Sequence, residues 1–151
     1  MIKLTRLGHV LLKVADTERS KEFYSNLLGF EVVEEDPQHG GVFMTLGEDG
    51  HNLDLSPVDD PATAQRHAIG QLGVHHVAFK VDSFEALKEA YFTLQAHGVE
   101  ILRAIDHVSQ KSIYFNDPDG NRLEIYYDEP NALEMFRQGR EDRDEPLVFE
   151  R

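Results

Sequence analysis

The chain is 151 residues long, 40% apolar and 28% charged, with a formal net charge of −13. That length suits one compact domain burying roughly two-thirds of its unfolded surface. The acidity argues against nucleic acid or an anionic membrane as a partner, since both would be repelled. With no cysteine, disulfides, thiolate zinc sites and thiol nucleophiles are excluded, so any metal must be held by His, Asp or Glu. No apolar run approaches the roughly 20 residues of a membrane helix, and the N-terminus lacks the apolar core of a signal peptide. A cytoplasmic location with no membrane partner is expected.

The first predicted strand lies in Leu7-Gly8-His9-Val10-Leu11-Leu12-Lys13-Val14. Asp16 is a plausible N-cap for a helix over 16–28, where Phe23, Tyr24, Leu27 and Leu28 keep helical spacing and Gly29 ends it. Phe30–Glu34, Val42–Leu46 and Asn52–Ser56 then read as strands separated by Gly-, Pro- and Asp-rich turns. Residues 58–72 are linker-like.

The pattern then repeats. Val74-His75-His76-Val77-Ala78-Phe79-Lys80-Val81 resembles the first strand, with His76 in the place of His9. Lys88, Tyr91 and Leu94 match Lys21, Tyr24 and Leu27 at the same offset. Ser83 caps a helix through about Gln95, and Gly98 ends it. Strands follow near Glu100–Arg103, Ser112–Asn116 and Arg122–Tyr127, the last two joined by the turn Asp117-Pro118-Asp119-Gly120-Asn121. The expected fold is α+β: two βαβββ modules, about 5–57 and 73–128, in a single domain over 1–151. A tail follows over 129–151, in which Asn131–Gln138 looks helical. The acidic ending Glu141-Asp142-Arg143-Asp144-Glu145 reads as a solvated run.

Alternation within the strands places the chemistry, because side chains at i and i+2 share a face. Val10, Leu12 and Val14 form one face of the first strand, leaving His9 and Leu11 on the other. Val77, Phe79 and Val81 lie opposite His76. Leu53 and Leu55 lie opposite Asp54, Ile113 and Phe115 opposite Tyr114, and Leu123 and Ile125 opposite Glu124. The apolar faces are expected to pack on the helices. If each sheet curves, the mixed sheet closes round a cup lined by His9, Asp54, His76, Tyr114 and Glu124. Two imidazoles and a carboxylate with open positions beside them suit non-heme Fe(II). The same ligands also accept Mn(II), Zn(II), Ni(II) or Co(II). Any one of these histidines alone would more often be structural, and the case rests on the matched pair in a repeat. A metal-free small-molecule binding cup is the alternative without catalysis.

His9-Val10 through Phe23-Tyr24 to Leu28-Gly29-Phe30, then His75-His76-Val77-Ala78-Phe79, then Tyr114-Phe115-Asn116-Asp117-Pro118-Asp119-Gly120-Asn121-Arg122-Leu123-Glu124, resemble the vicinal oxygen chelate superfamily. That group includes glyoxalase I, methylmalonyl-CoA epimerase, fosfomycin-resistance proteins and type I extradiol dioxygenases. The resemblance covers roughly residues 5–128. It implies metal ligands at His9, His76 and Glu124, in agreement with the parity of the strands, and a homodimer.

Within the superfamily, His51 in Gly50-His51-Asn52-Leu53 and the set His107, Ser112, Tyr114 and Glu124 resemble the extradiol dioxygenases, the tyrosine standing ten residues before the glutamate. That branch implies an Fe(II)- or Mn(II)-dependent ring cleavage of a catechol-like substrate. His51 would be its acid/base, and His107 and Tyr114 hydrogen-bond donors to the reacting oxygens. Asp54 departs from the branch. It stands where glyoxalase and epimerase relatives place a fourth ligand, which keeps a metal-dependent isomerase or lyase as the alternative, or else makes Asp54 a group that hydrogen-bonds the ligands. His51 and Asp54 differ by an odd number, so they share a face only if His51 precedes the regular strand or a bulge intervenes.

Overall fold

A computed structural model describes residues 1–68, 70–139 and 143–151. It consists of two compact units, Met1–Arg66 and His67–Arg151. Each is a βαβββ module, in sheets of four and five strands.

The N-terminal unit starts with β1 (Val10–Val14). Asp16, in an extended conformation, accepts the Arg19 amide at 3.0 Å and opens α1 (Thr17–Glu22), the side-chain capping expected of an aspartate there. The helix widens into a π-helical turn over Phe23–Leu27, and the chain leaves it through Gly29, whose φ of 81° favours glycine. Three strands follow: β2 (Glu31–Glu35), β3 (Val42–Thr45) and β4 (Leu53–Pro57). Their spatial order is β1-β4-β3-β2, with β1 parallel to β4 and the other pairs antiparallel. Val14, Tyr24, Phe30, Val42, Met44, Leu53 and Leu55 fill the core.

The C-terminal unit repeats this plan with β5 (Val77–Val81), α2 (Phe84–Ala96), β6 (Arg103–Asp106), β7 (Gln110–Asn116) and β8 (Arg122–Asp128). Ser83 caps α2 by accepting the Ala86 amide at 3.0 Å. Asp117 organises the β7–β8 turn, its Oδ1 accepting the amides of Asp119 and Asn121 at 2.9 and 2.7 Å. Again the first strand runs parallel to the last, β5 beside β8, with β7 and β6 beyond.

The second strand of this unit departs from expectation. It occupies Arg103–Asp106 rather than Glu100–Arg103. Val99 still donates to the Leu94 carbonyl at 2.9 Å, so the residues after Gly98 carry the chain off the helix before its ladder with β7 begins.

The tail forms the anticipated helix α3 (Ala132–Gln138), and residues 143–151 are described after it. A two-residue strand, β9 (Glu145–Pro146), pairs with the free edge of β6. Leu147 donates to the Ala104 carbonyl at 3.0 Å, and the Phe149 ring lies 5.7 Å from Phe84 and 4.6 Å from Tyr91. The acidic run is therefore not wholly solvated. Asp144 and Glu145 are held at a sheet edge, while Glu141 and Asp142 lie outside the described residues. No helix among the described residues is long and apolar enough to cross a membrane.

The core assignment makes a contrast measurable. Leu94 on α2 is 1% exposed and Leu133 on α3 is 64% exposed. Leu94→Ala is expected to lower the unfolding free energy by about 2–5 kcal/mol, the range for a buried leucine. Leu133→Ala should change it by less than about 0.5 kcal/mol. Urea denaturation of both variants checks this.

Candidate metal centre

In the N-terminal unit the parallel pairing of β1 and β4 sets Leu11 opposite Asp54, and β3 sets Phe43 on the other side of Asp54. His9 precedes Leu11 by two residues and so lies on the Asp54 side of the sheet. Asp54 is buried, its side chain 3% exposed. Burying a charge requires hydrogen bonds, and His51 supplies them: its Nδ1 lies 2.7 and 2.9 Å from the two Asp54 oxygens. The parity conflict disappears because β4 begins only at Leu53. His51 sits in the loop before it, free to turn back. His9 Nε2 is 3.9 Å from Asp54 Oδ2, too long for a hydrogen bond, and its ring stands 4.3 Å from that of His51. The edge of Phe43 meets His51 at 5.8 Å. His9, His51 and Asp54 thus bring one ligand atom each to within 4.8 Å of one another. Nitrogen and oxygen donors of this kind fit a divalent transition ion.

The C-terminal unit carries the corresponding pair. Ala78 on β5 stands opposite Glu124 on β8, and Tyr114 on β7 flanks Glu124 from the other side. His76, two residues before Ala78, places Nε2 at 2.9 Å from Glu124 Oε2. Glu124 is 6% exposed. The His76 ring meets Tyr114 edge-on at 5.9 Å, and His75 and His76 approach through their Nδ1 atoms at 2.8 Å. His107 lies in the turn between β6 and β7, where Val108 has a φ of 69°. The turn aims His107 Nε2 at the Tyr114 hydroxyl, 3.0 Å away. Burial, together with the negative charge of Glu124, pushes the Tyr114 hydroxyl up to about 12.

The anticipated residues therefore fall into two groups. His9, His51 and Asp54 meet in the first unit, and His76, Glu124, Tyr114 and His107 in the second. One functional neighbour was not anticipated: Asp144, whose Oδ1 lies 2.6 Å from His107 Nδ1. Nothing in an acidic run distinguishes such a residue. Phe43 was legible only as an apolar strand residue, not as the ring against His51.

A family model described as the Glyoxalase/Bleomycin resistance protein/Dioxygenase superfamily matches residues 6–125. The chain belongs to that superfamily. Biphenyl-2,3-diol 1,2-dioxygenase 2 of Rhodococcus globerulus is 29% identical over 150 residues, covering 97% of this chain and 77% of that protein. Catechol-2,3-dioxygenase of Bacillus subtilis strain 168 is 30% identical over 128 residues, with 85% of this chain and 43% of the relative covered. Mitochondrial methylmalonyl-CoA epimerase of Mus musculus is 40% identical over 92 residues, with 56% of this chain and 50% of the relative covered. The chain thus spans half or less of the latter two proteins. Among solved structures, the fosfomycin resistance protein FosX of Listeria monocytogenes superposes with a TM-score of 0.70 at 22% identity, covering 92% of this chain and 100% of that one. It shares the fold.

The perturbed tyrosine gives a pH test. The folded chain keeps the Tyr114 proton when the unfolded chain, near 10, has lost it. Its contribution to stability is therefore fully present below about pH 10 and is lost as pH rises through about 12. In the metal-free protein, the ultraviolet difference between wild type and Tyr114→Phe should show phenolate forming near pH 12. A difference transition near pH 10 would contradict the geometry.

Proposed function

We propose that the protein is a metal-dependent extradiol dioxygenase that opens the ring of a catechol-like substrate, with Fe(II) or Mn(II) held by His9, His76 and Glu124. The observation that carries this reading is the chain of contacts from His107 through Tyr114 to the strand position opposite Glu124, beside His76. It puts a histidine and a protonated tyrosine next to a buried carboxylate. Relatives named as biphenyl-diol and catechol dioxygenases support the substrate class.

A divalent ion bound there would supply positive charge that favours the ionised diol. The protein groups have separate tasks. Asp54, hydrogen-bonded to His51 Nδ1, keeps the proton on that nitrogen and leaves His51 Nε2 as an acceptor. His51 can then take a hydroxyl proton from the substrate and return it later. Tyr114 stays a neutral hydroxyl at neutral pH and shares a hydrogen bond with a substrate hydroxyl. His107 orients that hydroxyl. In the overall reaction a ring C–C bond beside the hydroxylated carbons breaks and both atoms of O2 enter the product, so no external reductant is needed. A homodimer belongs to the same reading, and a sedimentation mass near 17.2 kDa at micromolar concentration would contradict it.

One observation favours a second reading. Asp54 lies close enough to His9 and His51 to share an ion with them. Added to His9, His76 and Glu124, Asp54 would complete a four-ligand site of the kind that suits a glyoxalase- or epimerase-type isomerase, in which carboxylates move protons beside a carbonyl. With Asp54 also holding the ion, the protein would leave less room for a catechol and O2 to bind together.

Metal-loaded protein mixed anaerobically with catechol or 2,3-dihydroxybiphenyl and then exposed to air should consume O2 and yield a yellow ring-opened product. Isomerisation of an aldehyde–thiol adduct or an acyl-CoA without O2 uptake would favour the second reading. Asp54→Ala separates them further. Its metal content is expected to survive, with ring cleavage falling by no more than about a hundredfold, the upper range for loss of a group that supports the ligands. Loss of the metal would make Asp54 a ligand.

A further inference from the structure

We propose that Asp144, from the C-terminal strand, is a positioning residue that fixes the tautomer and ring orientation of His107, and through it the direction in which the Tyr114 hydroxyl points. The inference rests on the ring-cleavage reading of the same site. Asp144 Oδ1 lies 2.6 Å from His107 Nδ1, and His107 Nε2 lies 3.0 Å from the Tyr114 oxygen. A carboxylate accepts only, so Nδ1 must carry a proton. In the neutral ring Nε2 is then the acceptor, and the Tyr114 O–H donates to it. The Tyr114 oxygen can then accept a hydrogen bond from a substrate hydroxyl. Without Asp144 the ring is free to carry its proton on Nε2, and the Tyr114 contact reverses. The same arrangement gives a balanced proton path. When Tyr114 takes a proton from the substrate it passes its own to His107, and the resulting imidazolium is stabilised by the Asp144 carboxylate.

The tail is built to hold this contact. Asp144 lies 37 positions beyond His107 in the chain, so only tertiary structure brings them together. β9 pairs Glu145 with Asp106 and Pro146 with Ile105, next to the His107 turn. Leu147 bonds to Ala104, and Phe149 is seated against Phe84 and Tyr91. The His107 side chain is only 14% exposed, so water has restricted access to replace the carboxylate.

Long-range proton–nitrogen NMR spectra of the metal-free full-length chain test the first link. Wild type is expected to show His107 protonated on Nδ1 and bare on Nε2. Asp144→Ala should shift it toward the opposite tautomer, and Asp144→Glu should restore most of the wild-type pattern. If Asp144→Ala melts early, Asp144→Leu, similar in size and unable to accept a hydrogen bond, replaces it. Unchanged His107 nitrogen shifts in folded Asp144→Ala or Asp144→Leu would overturn the proposal. The second link is read in catechol turnover by the iron-loaded protein. Asp144→Ala should lower kcat by about 10- to 100-fold, the range for removing a carboxylate that orients a functional histidine, with KM and metal content within about twofold of wild type. In a His107→Ala background the same substitution should cost nothing further. An altered tautomer with unchanged kcat would overturn the functional half. A wild type that opens no catechol ring would defeat the ring-cleavage reading instead, while the nitrogen shifts still decide whether Asp144 sets the tautomer.

Discussion

The parallel pairing of the first and last strands of each module is the constraint on which the rest depends. In both units the residue two places after the histidine stands opposite the carboxylate: Leu11 opposite Asp54, and Ala78 opposite Glu124. The side-chain period of a strand is two, so a slip of one residue would send each carboxylate to the apolar face. Leu53 and Leu55 flanking Asp54, and Leu123 and Ile125 flanking Glu124, forbid that slip because they are needed in the core. Hydrophobic register thus forces two acids into buried positions, where an isolated charge is costly. Imidazoles offset that cost, His51 for Asp54 and His76 for Glu124.

The repeat is symmetric in backbone and asymmetric in chemistry. The third strand presents Phe43 beside Asp54 in the first unit and Tyr114 beside Glu124 in the second. In the first unit an aromatic ring stands perpendicular to His51, 5.8 Å from it. A hydroxyl at the equivalent place gives Glu124 a polar neighbour and reaches the His107–Asp144 pair. One module therefore holds a histidine against a buried aspartate, and the other holds a tyrosine hydroxyl that keeps its proton beside a buried glutamate.

Much of this was legible in the sequence because it is periodic or local. The alternation of Val10, Leu12 and Val14, repeated at Val77, Phe79 and Val81, located both first strands. Asp16 and Ser83 marked the helix starts through cap chemistry confined to three residues. The turn after Asn116 announced itself through Asp117 and Gly120. What was not legible is non-local. The position of β6 is set by its ladder with β7, and the apolar residues Ile101 and Leu102 are equally plausible in a strand. The position of His51 depended on where β4 begins. The contact of Asp144 with His107 depends on a two-residue strand inside an acidic run, which carries no pattern of its own.

The central claim is that this arrangement of acids, imidazoles and a protonated tyrosine serves the insertion of oxygen into a catechol ring. The most direct measurement is mass spectrometry of the product formed by the iron-loaded protein from 2,3-dihydroxybiphenyl under isotopically labelled dioxygen in ordinary water. The account predicts a ring-opened product whose new carboxylate retains a labelled oxygen atom. A product carrying no label, or a substrate consumed equally well without dioxygen, would contradict it.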